Sequence, residues 1–275
     1  SKDSDYYRYN RGKRIPKTIF DPATGSGGFL VEAARRIRVG TYPSSRVTDM
    51  EDIKDSIVKG LHGSELSTFS YYISEINLLL QLTPVVRNIV QLNPDRALNE
   101  GKFTLSLINI DSLSLHNSDS ASIDTEEIND ISLSRHNEIM KPVGEKLSVF
   151  QYIKDHQDFD YVVANPPYIG EDGHKKLFRK TMDRFPYWNK FYQGKMDYLY
   201  FFIILGLQKL KDGGKLGFIT TSYWLTADGA SNLRKYILDN ARIVEIIHFN
   251  EIKLFEHAKG QHNIIFILQI FLSIY

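Results

Sequence analysis

Residues 17–36, "KTIFDPATGSGGFLVEAARR", decide the fold. A short apolar run stops at Asp21, a glycine-rich turn follows, and "FLVEAARRIR" then carries helical periodicity with good helix formers. That is a strand, a tight turn and a helix. In an open α/β sheet the ligand crevice lies at the carboxyl end of such a strand. Glycines let backbone approach a ligand closely, and the first N–H groups of the following helix have no intrahelical partner. Gly25-x-Gly27 is too short for the six-residue dinucleotide fingerprint, and without a following Gly-Lys-Ser/Thr it is not a P-loop. Asp21 would repel a pyrophosphate but would accept a hydrogen bond from an ammonium-bearing ligand. A tight turn that binds nothing is the plain alternative.

Working outward, the same alternation repeats. "SIVKGLHGSE" reads as a second strand ending near Glu65, and "LSTFSYYISEINLLLQL" as a long amphipathic helix stopping near Thr83-Pro84. "FTLSLINIDSL" reads as a third strand ending at Asp111. Residues 114–146 are rich in Ser, Asp, Asn and Glu without sustained period, and read as a surface insertion. "FDYVVAN" is a fourth strand, and residues 170–195 are basic and aromatic without clear period. "DYLYFFIILGLQKLK" is an apolar helix, "KLGFITTSYW" a strand and "SNLRKYILDNA" a helix; "IVEIIHF" and "NIIFILQIFL" are strand-like and suited to an antiparallel hairpin at one edge. The expected fold class is α/β, a doubly wound, Rossmann-like, mostly parallel sheet with an antiparallel edge hairpin. The whole of 1–275 reads as one domain, with residues 1–16 as an N-terminal tail.

Composition bounds the function. Hydrophobic residues at 42% and charged residues at 24% are ordinary for a globular chain. Lys+Arg 34 against Asp+Glu 33 leave a net charge of +1, so any nucleic-acid surface must be a local patch. The absence of cysteine excludes disulfides, thiolate chemistry and Cys-based zinc sites. The eight histidines show no metal-ligand spacing, and His62 and His248 read as structural. No run is long enough to span a bilayer, and the polar N-terminus lacks a secretory signal. A cytoplasmic setting without membrane contact is expected.

Three successive strands each end in an acid: Asp21, Glu65 and Asp111. In doubly wound nucleotide folds a carboxylate in the position of Glu65 holds ribose hydroxyls, and Asp111 is placed to accept from an adenine amino group. The fourth strand ends instead on Asn165-Pro166-Pro167-Tyr168. Two prolines remove backbone donors and fix φ, so this turn is stiff. It would hold the Asn165 carbonyl and a backbone carbonyl at fixed spacing, two acceptors suited to one –NH2 group. Tyr168 supplies a flat face for a planar base or amide. A proline-rich loop without chemistry is the bland reading.

"DPATGSGGFL" and "NPPY", in that order, resemble the cofactor-binding and catalytic motifs of the S-adenosylmethionine-dependent, adenine-specific (N6) DNA methyltransferases of restriction–modification systems. The type I modification subunits and the fused type IIG enzymes are the nearest in kind. The resemblance runs from about residue 17 to 270 and includes "HGSE", "DYLYFFIILGLQKLKDGGKLGFITTSYWL" and "FNEIKLFEHAKGQHNIIFIL". It implies that Asp21, Ala23, Gly25 and Gly27 line the methionine part of S-adenosylmethionine, with Pro167 also on the cofactor side. Glu65 would hold the ribose hydroxyls, and Asp111 with Ser112 would sit by the adenine. Asn165 and the Pro166 carbonyl would accept from the target amino group, Tyr168 would stack on the base, and Tyr192 (or Phe191) would close its other face.

The implied reaction is direct methyl transfer to the amino nitrogen of an adenine flipped out of double-stranded DNA, with no metal. "GHKKLFRKTMDRFPYWNKFYQGK" then offers Lys175, Lys176, Arg179, Lys180 and Arg184 for phosphates, with interleaved aromatics. Two departures are visible. No Thr-Pro helix of the family's kind precedes Asp21, and no target-recognition domain follows the last strand. A catalytic core completed by a target-recognition domain or specificity subunit, with a restriction nuclease module as a further partner, is therefore expected. Two competitors remain open: glutamine N5 methyltransferases acting on release factors share Asn-Pro-Pro-Tyr, and a non-catalytic DNA-binding scaffold would keep the same fold.

Overall fold

The computed structural model describes residues 7–10, 13–40, 47–96, 103–116, 144–250, 252 and 262–272. It falls into two units, one of residues 1–111 and 117–155 and the other of 112–116 and 156–275.

The first unit begins with β1 (Tyr7–Asn10) and β2 (Lys13–Pro16), an antiparallel pair where the sequence suggests a tail. Three parallel strands follow in the spatial order β5-β4-β3: β3 is Ile19–Asp21, β4 Leu61–Glu65 and β5 Ser106–Asn109. α1 (Gly28–Gly40) turns Leu30, Ala34 and Ile37 inward, and α2 (Val47–Gly60) turns in Met50, Ile53 and Ile57. Both sets follow helical spacing, which makes one buried face per helix. α2 takes in residues 56–60, which as sequence read as part of the second strand. Ser56 there bonds back to the Asp52 carbonyl at 2.6 Å, and Ile57 and Val58 are buried on the helix.

α3 (Thr68–Leu92) is capped by Ser67, whose hydroxyl accepts the Ser70 N–H, and it buries Tyr71, Ser74, Leu78, Leu82, Val85 and Ile89. It runs straight through Pro84, against the expectation that it stops there. Proline removes one helical hydrogen bond, a loss of about 3 kcal/mol in a helix interior. Here Pro84 faces solvent, while Val85 and Ile89 beyond it are 2% and 0% exposed. Burial of two such side chains, about 1.5–3 kcal/mol each, offsets the loss. α4 (Gly144–Asp155) completes the unit, and Lys146 on it reaches Glu75 of α3 at 2.6 Å and the Leu107 carbonyl of β5 at 2.9 Å. Of the expected insertion at 114–146, residues 117–143 lie outside the described residues.

The second unit holds β6 (Phe159–Ala164), β7 (Leu210–Thr221), β8 (Ala241–His248) and β9 (Asn263–Ile270). β6 and β7 are parallel; β7 with β9 and β9 with β8 are antiparallel, as expected of an edge hairpin. Within residues 170–195 lie α5 (Lys175–Arg184) and a 3-10 helix, Pro186–Phe191. α6 (Leu199–Lys209) is buried on nearly every side, which explains its continuous apolar sequence. Gly206 lets it press on the strands, since a Cβ there would come 2.7 Å from Leu216 Cδ1. α7 (Ser231–Asn240) leads into β8. Parallel pairing of β3, β4 and β5 in the first unit and of β6 with β7 in the second, with antiparallel edge strands β9 and β8, is the mostly parallel, doubly wound Rossmann-like class. Among the described residues no helix is long and apolar enough to cross a membrane.

Gly63 in β4 is closely enclosed: a Cβ there would sit 2.5 Å from Thr24 Oγ1 and 2.8 Å from Leu107 Cδ2. Gly63→Ala is expected to cost about 1–3 kcal/mol by overpacking. Urea unfolding measures this, and wild-type stability would mean that Thr24 and Leu107 can move apart freely.

Candidate active site

In the first unit the site grows from the ends of β3 and β4. Asp21 is 1% exposed; its Oδ1 accepts the Ala23 N–H at 3.0 Å, and its Oδ2 is buried with no hydrogen-bond partner among the described residues. Burial pushes its carboxyl up to about 7, against the pull of the Ala23 N–H, and the nearby Glu65 charge adds to the rise. The turn that follows is held by Thr24, whose N–H donates to the Ser64 carbonyl at 3.1 Å and whose hydroxyl lies 3.0 Å from the Asp21 carbonyl. Gly25 and Gly27 have φ of +56° and +89°, which side chains rarely tolerate. At Gly27 a Cβ would also stand 3.1 Å from Ser74 Cβ of α3.

Glu65 is the hub of this half. Its Oε2 accepts the Gly25 N–H and its Oε1 the Ser67 N–H, both at 2.8 Å. Its own carbonyl accepts from the Asn109 side chain at 2.7 Å and from the Ile110 N–H at 3.0 Å. Asn109 donates to the Leu66 carbonyl too and receives the Thr68 hydroxyl at 2.9 Å. Thr24, Ser67 and Asn109 were not singled out in the sequence, and only their place next to strand ends marks them. Asp111 lies two residues past the end of β5, which stops earlier than expected, at Asn109; Ser112 opens the 3-10 helix Ser112–Leu115 of the second unit and is buried.

In the second unit β6 ends at Ala164 and the expected turn follows: Asn165 exposed, Pro166 buried, Pro167 and Tyr168 half-buried. The Tyr168 hydroxyl lies 2.5 Å from Asn165 Oδ1 and 2.9 Å from the Ile219 carbonyl at the end of β7; its one hydrogen serves one of them at a time. Burial, and then the Asp197 charge, push the Tyr168 hydroxyl well above its ordinary pKa, so it stays a donor. Ile169 N–H donates to Asp197 Oδ1 at 3.0 Å. Tyr192 is tied by its hydroxyl to Glu171, not to the Asn165–Tyr168 turn, in the hydrogen bonds of the described residues. Phe191, the alternative aromatic, packs against Tyr187, Trp188 and Tyr236 and is committed to that cluster. On α5, Phe178 and Thr181 face inward while Lys175, Lys176, Arg179, Lys180 and Arg184 are exposed.

Two strand-end carboxylates beside a glycine turn, and a proline-stiffened Asn-Pro-Pro-Tyr turn, thus stand in the expected chain order. Residues 59–255 match the family model described as the Eco57I restriction-modification methylase. The chain belongs to this family. The Type II methyltransferase M.HincII of Haemophilus influenzae is 34% identical over 112 residues, which are 41% of this chain and 22% of that relative. Among solved structures, the Type IIL restriction-modification enzyme MmeI in complex with DNA superposes with a TM-score of 0.57 at 18% identity. It covers 94% of this chain and 32% of its own. The ATP-dependent Type ISP enzyme LlaBIII bound to DNA gives 0.56 at 20% identity, over 96% of this chain and 17% of its own. These two likenesses are of fold.

The Eco57I-type methylases use S-adenosylmethionine. The residues of the first unit fit that cofactor. Each Glu65 oxygen has accepted one N–H and retains room for one hydroxyl donor, as a vicinal diol requires, and the unmatched Asp21 Oδ2 suits a cationic donor.

Asp21 also carries a pH signature. With its folded pKa near 7 and an unfolded value near 3.8, the folded protein holds a proton that the unfolded chain releases between those values. Its contribution to stability is whole below about pH 4, falls across pH 4–7 and is lost above. Asp21→Asn is expected to flatten that fall and to be the more stable protein at pH 8, by on the order of a few kcal/mol. Urea titrations at pH 5 and pH 8 compare the two; an unaltered pH dependence in the variant would refute the assignment.

Proposed function

We propose that this protein methylates the exocyclic N6 amino group of an adenine flipped out of double-stranded DNA, as the modification activity of a restriction–modification system. The observation that carries the reading is the acceptor turn: Asn165 at the end of β6, followed by two prolines and by Tyr168 at hydrogen-bond distance. Asn165 Oδ1 and the Pro166 carbonyl accept the two amino hydrogens, which draws the nitrogen lone pair out of conjugation with the ring and aims it outward. S-adenosylmethionine supplies, when bound, a methyl group on a positively charged sulfur, open to attack by a nitrogen lone pair. Asp21, Ala23, Gly25 and Gly27 hold its methionine part with Pro167, Glu65 its ribose hydroxyls, and Asp111 and Ser112 its adenine.

Tyr168 stacks on the flipped base, and Tyr192 supplies the second face. Such stacking contributes about 1–3 kcal/mol per base, enough to offset much of the unpairing cost. The cations of α5 grip phosphates. A net charge of only +1 makes that local patch matter more. A target-recognition domain or specificity subunit chooses the site, a restriction nuclease module cleaves unmodified DNA, and the setting is the cytoplasm.

Tritiated methyl transfer from S-adenosylmethionine, with the full-length protein and its partner subunits, tests this reading. Asn165→Ala is expected to lower incorporation into DNA by two or more orders of magnitude, about the loss seen on removing one preorganised hydrogen-bonding group from a reacting centre. Incorporation into release factor but not DNA would move the substrate to a glutamine amide, and unchanged incorporation by the variant would remove Asn165 from the chemistry. For the α5 patch, Lys175→Ala, Lys176→Ala and Arg179→Ala are each expected to reduce the slope of log affinity for DNA against log salt by about 1. A slope equal to wild type in all three would place the phosphates elsewhere.

A further inference from the structure

We propose that Glu171 and Asp197 are positioning residues, a reciprocal pair of carboxylates that locks the acceptor turn in place. The inference rests on the reading of Asn165 as the amino-group acceptor. The need for a lock follows from the turn itself. Pro166 and Pro167 have no N–H, so nothing of the β-ladder type can hold the chain between Ala164 and Tyr168 by backbone donation from those two positions. An acceptor held by covalent stiffness alone could swing as a body about its ends.

Just beyond the prolines the chain is gripped instead by residues 192–199. Gly170 and Asp197 form an antiparallel bridge. Tyr198 N–H donates to the Ile169 carbonyl and Glu171 N–H to the Met196 carbonyl, both at 2.9 Å. On this short ladder each side contributes one carboxylate to the other. Asp197 reaches back to the Ile169 N–H at 3.0 Å, and the same oxygen accepts the Leu199 N–H at 3.0 Å, which fastens the clamp to the first turn of buried α6. Glu171 reaches forward: its Oε2 accepts the Lys195 N–H at 2.5 Å, and its Oε1 accepts the Tyr192 hydroxyl. Glu171 is 6% exposed, so these bonds are shielded from water and hold more firmly than they would at the surface.

The receiving segment is itself anchored on its far side. Lys195 is left-handed, with φ +63°, an uncommon state for a residue with a side chain. Its carbonyl lies where a Cβ on Gly229 would come within 2.0 Å, so only glycine fits there. Gln193 donates to the Asp228 carbonyl at 2.8 Å and accepts from Ser231 Oγ at 2.9 Å and Asn232 N–H at 3.0 Å. The clamp is thus built on a fixed base, and Tyr192 shares its anchor with the acceptor turn through Glu171.

Glu171→Gln and Asp197→Ala in the full-length protein test this. At Glu171 both oxygens are in use, so the amide keeps the shape but sets an –NH2 donor against the Lys195 N–H or the Tyr192 hydroxyl; at Asp197 alanine removes the one oxygen that accepts both the Ile169 and the Leu199 N–H. In both variants kcat for methyl transfer to DNA is expected to fall by about 10–100-fold, the scale of an ångström-sized misplacement. KM for DNA and for S-adenosylmethionine should stay within about threefold, because no ligand contact is removed. Amide hydrogen exchange at Ile169 and Lys195 is expected to quicken at least tenfold. Unchanged exchange at both amides overturns the clamp, and so does quickened exchange with kcat within twofold of wild type. Asn165→Ala in the same assay separates the two ideas: if it transfers methyl at the wild-type rate, the reading of the turn fails, and exchange alone then judges whether the carboxylates hold it.

Discussion

A single carboxylate holds the carboxyl-terminal edge of the first unit's strands together. Glu65 ends β4, yet its two oxygens bind the N–H of Gly25, in the turn after β3, and of Ser67, at the cap of α3. Its backbone carbonyl is in turn held from β5 by Asn109 and Ile110. Three strand ends and a helix start are therefore set by one residue. The left-handed glycines follow from this arrangement: for Gly25 to present its N–H to Glu65, and for Gly27 to lie against Ser74, the backbone must take conformations that only glycine enters cheaply. Asp21, sealed beneath, holds a carboxyl oxygen that no described residue partners.

The second unit solves a different problem. Prolines make its acceptor turn stiff but deny it ladder bonds, so rigidity has to come from neighbours. α6 supplies the base. Its residues are buried almost without interruption, and Asp197 and Tyr198 just before it hold Ile169. Trp188, fully buried, donates its indole N–H to the Leu113 carbonyl at 2.8 Å, which secures the 3-10 helix that begins at Ser112. Core packing and site geometry in this unit are the same set of contacts seen from two sides.

Much of this was legible in the residues. The strand–turn–helix at 17–36, the carboxylate at Glu65 and the Asn165–Tyr168 turn each rest on local chemistry that short stretches state outright. What escaped was decided by tertiary packing. Pro84 is a strong local stop signal, and two buried residues past it overrule the signal. Residues 56–60 are apolar enough for a strand, but Ile57 keeps helical spacing with Ile53 and Met50, a period visible only once the helix start at Val47 is known. α5 was hidden because only Phe178 and Thr181 of its ten residues are buried, too few to print a period among so many charges. Glu171 and Asp197 carry no signal in the sequence, since their partners are backbone N–H groups and a tyrosine that sequence spacing does not bring near.

The Tyr168 hydroxyl lies between two acceptors, Asn165 Oδ1 at 2.5 Å and the Ile219 carbonyl at 2.9 Å, and its single hydrogen chooses between them. An amide oxygen has two lone pairs, so Oδ1 keeps this bond and still has one acceptor position open on the exposed side of Asn165. When the hydroxyl turns to Ile219 instead, one neutral hydrogen bond replaces another at little net cost, and both positions on Oδ1 come free. The tyrosine hydrogen is thus a two-position latch, and its setting decides how many donors the amide oxygen accepts at once.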